Sequence, residues 1–121
     1  MTTILIVDDD ADVRSLLRTV FALAGDWTVI TAESVASAMV HLRSASVDVI
    51  LTDNHLGDGC ADNVRAGAEG LPVVVVSASV DGDANTLVPW DGYAGGISKP
   101  FNPMTLPALV ASAMGRNGAT P

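Results

Sequence analysis

The chain has 121 residues, a length typical of one domain that can bury its own core. Fourteen acidic residues against six basic ones give a formal net charge of -8, which opposes non-specific contact with nucleic acid or anionic lipid. No apolar run approaches the ~20 residues that span a membrane, and the N-terminal stretch MTTILIVDDD has no features of a secretion signal. We therefore expect a cytoplasmic protein that binds neither nucleic acid nor membranes directly.

Short aliphatic runs recur along the chain and predict strands. They are ILIV (4–7), WTVIT (27–31), VDVILT (47–52), VVVV (73–76) and the weaker GGIS (95–98). Three of them are nearly continuous in apolar residues instead of alternating, which is typical of parallel strands covered on both faces. The sequence therefore predicts a parallel sheet.

Helical spacing fills the intervals between these runs. Apolar residues recur at i, i+3 and i+4 over 13–21 and 106–114, and a shorter helix over 35–42 begins after Ser34 as N-cap. The stretch 60–68 is a poorer helix. Pro89 and nearby glycines limit a fourth helix to about 83–88. This alternation predicts one doubly wound α/β domain over 1–115, with a flexible tail over 116–121.

Polar side chains follow four of the predicted strands. Asp8 and Asp9 end the first strand, Asp53 the third, Ser77 the fourth, and Lys99 with Pro100 the fifth. Ligands of doubly wound sheets bind at the carboxyl ends of the strands. Three close carboxylates suit Mg²⁺, and a lysine beside a hydroxyl suits a phosphoryl group. The set predicts phosphoryl transfer to a carboxylate.

These motifs and their spacing resemble the receiver domains of two-component response regulators, over essentially the whole chain. The matching residues are VDD at 7–9, Arg14, LTD ending at Asp53, SAS at 77–79 and KPF at 99–101. The resemblance implies a chemotaxis-regulator-like, flavodoxin-like (βα)5 fold with a five-stranded parallel sheet of order 2-1-3-4-5 and a shortened or irregular fourth helix. It also implies a signalling domain and not a classical enzyme.

The resemblance further implies a role for each residue at the strand ends. Asp53 would accept a phosphoryl group from a phosphohistidine of a sensor histidine kinase or phosphotransfer protein. Mg²⁺ would be held by the side chains of Asp9 and Asp53 and the backbone carbonyl of His55, and by Asp8 mainly through a metal-bound water. Ser77 and Lys99 would bind the phosphoryl oxygens, and Pro100 would follow through a cis bond. An unidentified downstream protein would read the change, and the domain would be a monomer or weak homodimer.

The sequence departs from the family at the switch position. Gly96 stands three residues before Lys99, where receivers generally carry Tyr, Phe or Thr. Tyr93, one short turn away, is a possible substitute, or Tyr93 and Trp90 simply cover the core edge left by a short fourth helix.

The loop after Asp53 departs as well. Gly57 and Ala61 replace the proline and glycine that are common in the family, which predicts a more mobile loop. His55 and Ser79 occupy positions that flank the site in the family and influence how fast the phosphoryl group hydrolyses. Alternatively, His55 is an exposed loop histidine with no role beyond its carbonyl.

Three other functions compete with phosphoacceptance. Asp8-x-Asp10 fits the opening of a haloacid-dehalogenase-like phosphatase, but no acidic pair follows Lys99. Asp8, Asp10 and Asp12 fit an EF-hand opening, but its glycine and bidentate glutamate are missing. A receiver fold that works as an interaction module without phosphorylation remains open because of Gly96. Asp10 and Asp12 are better explained as the start of the first helix.

Overall fold

A computed structural model of the chain describes residues 1–80 and 85–118. In chain order the elements are β1 (Thr2–Val7), α1 (Ala11–Ala24), β2 (Trp27–Ala32), α2 (Val35–Ser44), β3 (Val49–Asp53), β4 (His55–Leu56), β5 (Gly59–Cys60), α3 (Ala61–Gly67), β6 (Val73–Ser77), β7 (Leu87–Val88), β8 (Gly95–Ser98), a 3-10 turn (Pro103–Thr105) and α4 (Leu106–Gly118). All five predicted strands are present, and no end is shifted by more than two residues. In the described part of the chain, no helix is both long and apolar enough to cross a membrane.

The main sheet has six strands in the order β2-β1-β3-β6-β8-β7. Its first five members are parallel, and their order is the predicted 2-1-3-4-5 when they are counted among themselves. Val7 pairs with Thr52, Asp53 with Val76, and Ser77 with Ser98. This register brings the carboxyl ends of four strands to one edge of the sheet.

The sheet is covered by helices on both faces. Ile4 and Ile6 of β1 face a core shared with α1 and α4, whereas Leu5 and Val7 face a second core shared with α2 and α3. Side chains of a strand alternate between faces, so a continuous aliphatic run fills both cores. The doubly wound α/β prediction is confirmed.

The segment between β6 and β8 differs from the prediction. The predicted helix over about 83–88 is wrong at its end, because Leu87 and Val88 form β7 and pair antiparallel with β8. Residues 81–84, which include its start, lie outside the described residues. Gly95 permits the arrangement, since an added Cβ would lie 2.5 Å from Cδ1 of Leu87. No helix stands between β6 and β8 among the residues that are described there.

Polar side chains cap the N-termini of α1 and α2. Asp10 caps α1 by accepting a hydrogen bond from the N–H of Asp12, and Ser34 caps α2 by accepting from the N–H of Ser37. The α4 backbone continues to Gly118, so the first half of the predicted flexible tail, 116–118, is helical. The remainder, 119–121, lies outside the described residues.

Candidate functional site

Three carboxylates meet at the carboxyl edge of the sheet. Asp8 and Asp9 follow β1, and Asp53 ends the adjacent β3. Each offers an oxygen, and these oxygens lie within 4.8 Å of one another. Asp8 is buried, Asp53 is partly buried and Asp9 is exposed. The sequence prediction that these residues converge therefore agrees with the geometry.

Lys99 supplies positive charge to this cluster. It follows β8, two strands away from β3, and its Nζ lies 2.8 Å from Oδ1 of Asp53. The side chain of Asp53 is only 10% exposed, against 38% for Lys99, so the contact is partly shielded from water. The lysine ammonium offsets part of the repulsion among the three carboxylates.

Asp8 is held in place by its own loop and by α1. Its Oδ1 accepts a hydrogen bond of 2.9 Å from the N–H of Asp10, and its backbone carbonyl accepts one of 2.8 Å from Nη1 of Arg14. Burial raises the pKa of the Asp8 carboxyl, and the charge of Asp53 adds to this, while the hydrogen bond from Asp10 opposes it. A cation beside Asp8 would relieve the cost of this buried charge.

Ser77 lies at the end of β6, one residue beyond the partner of Asp53 in the sheet register. It is buried, and its Oγ accepts a hydrogen bond of 3.0 Å from the N–H of Ser79. The side chain of Ser79 is exposed beside it. Lys99 donates its N–H to the carbonyl of Ser77, and the Lys99–Pro100 peptide bond is cis. Ser77 and Lys99 are thus neighbours through their backbones.

The donor set fits a hard divalent cation. All three clustered side chains are carboxylates, and oxygen ligands are those that Mg²⁺ and Ca²⁺ take. His55, the residue whose carbonyl the family resemblance adds to the set, lies in β4 two residues beyond Asp53, with an exposed side chain.

Gly96 is buried in β8, the strand that precedes Lys99. A Cβ at this position would lie 3.1 Å from Cγ2 of Val80 and 3.4 Å from Cβ of Trp90. Trp90, together with Val80, thus takes up space beside Gly96. Sequence reasoning did not predict this contact, which joins residues on either side of a turn.

Tyr93 lies against α3. Its hydroxyl donates a hydrogen bond to the carboxylate of Asp62, and the guanidinium carbon of Arg65 lies 5.0 Å from the ring centre. Burial and the Asp62 carboxylate raise the pKa of Tyr93 to about 12. Its side chain also packs, partly buried, against the core shared with α2 and α3.

The loop after Asp53 forms a small antiparallel hairpin of β4 and β5. Asp58, in its two-residue turn, accepts hydrogen bonds from the N–H groups of Val35 and Ala36 at the start of α2. Sequence reasoning expected a more mobile loop and missed this contact. The stretch Gly57-Asp58-Gly59 carried a signal, since Asp and Gly favour tight turns, but its partner is 23 residues away.

The three carboxylates lie at the carboxyl edge of a doubly wound α/β sheet, which is where such domains bind their ligands. A family model described as the response regulator receiver domain matches residues 4–111. The chain therefore belongs to the receiver domain family of two-component response regulators.

Curated relatives agree with this assignment. The transcriptional regulatory protein KdpE of Mycobacterium tuberculosis is 30% identical over 98% of this chain, and KdpE of Escherichia coli is 32% identical over 99%. The DNA-binding transcriptional regulator NtrC of E. coli is 33% identical over 90%. The chain covers 54% of each KdpE sequence and 24% of NtrC, so it spans about half or less of these relatives.

Solved structures share the fold. The chemotaxis response regulator CheY4 of Vibrio cholerae superimposes with a TM-score of 0.78 at 24% identity, over 93% of this chain and 98% of that one. A CheY-like receiver domain protein of Methanospirillum hungatei gives a TM-score of 0.80 at 18% identity, over 98% of both chains. The predicted flavodoxin-like, chemotaxis-regulator-like architecture is confirmed.

Proposed function

We propose that this domain accepts a phosphoryl group onto Asp53 from a phosphohistidine of a sensor histidine kinase or phosphotransfer protein, in a Mg²⁺-dependent reaction. The observation that carries the proposal is the 2.8 Å contact of Lys99 with Asp53 inside the cluster of three carboxylates. Asp53 lies beside two further carboxylates, which can bind a cation with it, and beside the ammonium group of Lys99. This arrangement suits phosphoryl transfer.

In this reaction an oxygen of Asp53 attacks the phosphorus, and the phosphorus–nitrogen bond of the phosphohistidine breaks. The electron pair of that bond leaves with the imidazole of the donor, which takes up a proton. Mg²⁺, held by Asp8, Asp9, Asp53 and the carbonyl of His55, would supply positive charge for the transferring oxygens. Lys99 would pair with one phosphoryl oxygen.

The hydroxyl group of Ser77 can donate a hydrogen bond to the phosphoryl group on Asp53. Its Oγ already accepts from the N–H of Ser79, so its own O–H is available to donate to a phosphoryl oxygen. A group of roughly -2 charge on Asp53 needs such donors together with Lys99. His55 and Ser79 flank the site and would influence how long the phosphoryl group survives.

The signal would pass on through changed protein contacts. Relatives are named as DNA-binding regulators, but the acidic charge of this chain opposes direct contact with DNA, so its own downstream partner is proposed to be a protein. Monomer and weak homodimer both fit this scheme, and a cytoplasmic location is part of the proposal.

A second candidate is an interaction module that works without phosphorylation. The observation that favours it is the cover of Val80 and Trp90 over Gly96, where the family carries its switch residue. In this alternative the acidic cluster binds a cation, and the partner surface does not depend on Asp53.

One experiment separates the two candidates. The protein is incubated with MgCl₂ and acetyl phosphate or phosphoramidate, and its intact mass is measured. The proposal expects the added mass of one phosphoryl group, which is lost when EDTA removes the metal and in the variant Asp53→Ala. Asp48→Ala, which removes a carboxylate far from the site, is the matched control and should be phosphorylated normally. An unmodified wild type, or an unchanged adduct in Asp53→Ala, would exclude phosphoacceptance at Asp53.

A further inference from the structure

The hairpin of β4 and β5 is fastened to α2 by one side chain. Oδ1 of Asp58 accepts a hydrogen bond of 2.8 Å from the N–H of Val35, and Oδ2 accepts one of 3.0 Å from the N–H of Ala36. The first N–H groups of a helix have no partner within the helix, and the positive end of the helix dipole favours a carboxylate there. These two bonds lower the pKa of the Asp58 carboxyl group, which favours its ionised form.

Ser34 caps the same helix start through a separate hydrogen bond within α2. Its Oγ accepts from the N–H of Ser37, the third residue of α2. The helix therefore has a cap of its own, and the two Asp58 bonds add a connection to a segment more than twenty residues away. The Asp58 hydrogen bonds therefore restrain the hairpin as well as cap the helix.

Close packing supports the same attachment. A Cβ on Gly59 would lie 3.1 Å from Cγ2 of Val35 and 2.6 Å from Oδ1 of Asn63, so the hairpin touches the start of α2 and the first turn of α3. Oδ1 of Asn63 accepts a hydrogen bond of 3.0 Å from the N–H of Cys60. The hairpin is thus held at its turn by α2 and at its exit by α3.

This attachment bears on the backbone of His55. His55 pairs with Cys60, and the N–H of Cys60 is directed to Asn63 instead. His55 and Cys60 therefore form a non-hydrogen-bonded pair of the antiparallel ladder. In such a pair the backbone groups point away from the partner strand, so the carbonyl of His55 points out of the hairpin. The base of the hairpin is tied to the sheet edge, because Asn54 donates its N–H to Val76 and accepts from the N–H of Ala61.

We infer that Asp58 is a positioning residue of the cation site, which holds the hairpin against α2 so that the His55 carbonyl stays in place beside Asp53. The inference rests on the proposed function, since that proposal makes the carbonyl of His55 a Mg²⁺ ligand. Groups that orient metal ligands without touching the metal typically contribute about 10- to 100-fold to metal affinity.

The test is MgCl₂ titration by calorimetry of the wild type and four variants. Asp58→Ala should raise the dissociation constant for Mg²⁺ by about tenfold. Asp58→Asn keeps one accepting oxygen, so its dissociation constant should lie between those of the wild type and Asp58→Ala. Ser34→Ala removes a cap of α2 but leaves the hairpin attached, and Asp48→Ala removes a carboxylate bonded to the N–H of Thr3 at the opposite edge of the sheet. Both should bind Mg²⁺ as the wild type does.

A second measurement follows the hairpin without metal. In Mg²⁺-free protein, Asp58→Ala should speed amide hydrogen exchange over 55–60 but not in β1, whereas Ser34→Ala should leave 55–60 protected. Wild-type Mg²⁺ affinity in Asp58→Ala, or an equal loss in Ser34→Ala, would overturn the positioning role alone. A wild type that binds no Mg²⁺ would overturn the proposed function and this inference together.

Discussion

Nζ of Lys99 and Oδ1 of Asp53 lie 2.8 Å apart although the two residues are 46 positions apart in the chain. They are brought together because β3 and β8 both flank β6 and all three strands run parallel. The Lys99 ammonium group and a bound metal cation would therefore be attracted to the same three carboxylates. Lys99 is the only lysine of the sequence, so this charge can be removed without affecting another lysine site.

Removal of the Lys99 charge should tighten Mg²⁺ binding. In Lys99→Ala the three carboxylates lose a competing cation, and a partly exposed ion pair is worth about 0.5 to 1 kcal/mol, which corresponds to a two- to fivefold lower dissociation constant. Calorimetric titration with MgCl₂ measures this directly. Lys99→Arg keeps the charge and is the control. Weaker Mg²⁺ binding in Lys99→Ala would show that the lysine supports the cation site instead of competing with it.

Asp9 and Asp12 should behave differently although both are exposed acidic residues near the start of α1. Asp9 offers an oxygen to the cluster, whereas Asp12 lies in the first turn of α1, where it gains only from the helix dipole. Asp9→Ala should abolish Mg²⁺ affinity and phosphorylation. Asp12→Ala should spare both and lower the free energy of unfolding by about 0.3 to 1 kcal/mol. Intact mass, Mg²⁺ titration and urea unfolding of both variants measure these effects, and equal Mg²⁺ loss in the two would contradict this division of the acidic run.

The residues at the strand ends could be predicted from sequence for a physical reason. Long aliphatic runs mark buried parallel strands, and such strands bring their carboxyl ends to one edge whatever the intervening loops do. Asp8 and Asp53 end such runs directly, whereas Lys99 follows the weaker run GGIS. Their convergence therefore needed only the order of the strands, which the family resemblance supplied.

The contacts that were missed depend on distant pairs. Leu87 and Val88 form a two-residue strand, too short to show a sequence period, and Gly95 leaves room for Leu87 beside β8. Asp58 and Val35 meet only because the hairpin and α2 lie at the same edge. Tertiary contacts of this kind decide local structure where propensity is weak.

A restored switch aromatic should destabilise this domain. In Gly96→Tyr the new side chain meets Val80 and Trp90, and overpacking of this kind typically costs about 1 to 3 kcal/mol. Urea unfolding of the variant measures the loss. The double variant Trp90→Ala with Gly96→Tyr should recover part of it, because the ring that crowds the site is gone.

Gly115→Ala is the matched control for this prediction. Its added Cβ meets nothing within 4 Å, and an alanine in α4 should be neutral or stabilise by up to about 1 kcal/mol. A Gly96→Tyr variant as stable as the wild type would show that Trp90 moves aside freely, and the switch position would then be open to an aromatic ring.

The contact of Tyr93 with α3 should be visible in the alkaline titration of the chain, which contains one tyrosine. The phenolate absorbance of the folded protein should appear near pH 12, against about 10 for the unfolded chain, because burial and then the Asp62 hydrogen bond raise the pKa. A raised pKa favours the protonated folded state. This contribution to stability is complete below about pH 10 and is lost as the pH rises through about 12.

Two variants with opposite charge changes measure how much the neighbouring charges contribute beside burial. Asp62→Asn removes the anion that disfavours the phenolate, so the pKa of Tyr93 should fall toward 10. Arg65→Ala removes the cation stacked on the ring, which lowers the pKa in the wild type, so the pKa should rise further. Tyr93→Phe removes the absorbance change and serves as the blank. Equal shifts in the same direction for both variants would mean that loss of packing, and not the charges of Asp62 and Arg65, sets the pKa of Tyr93.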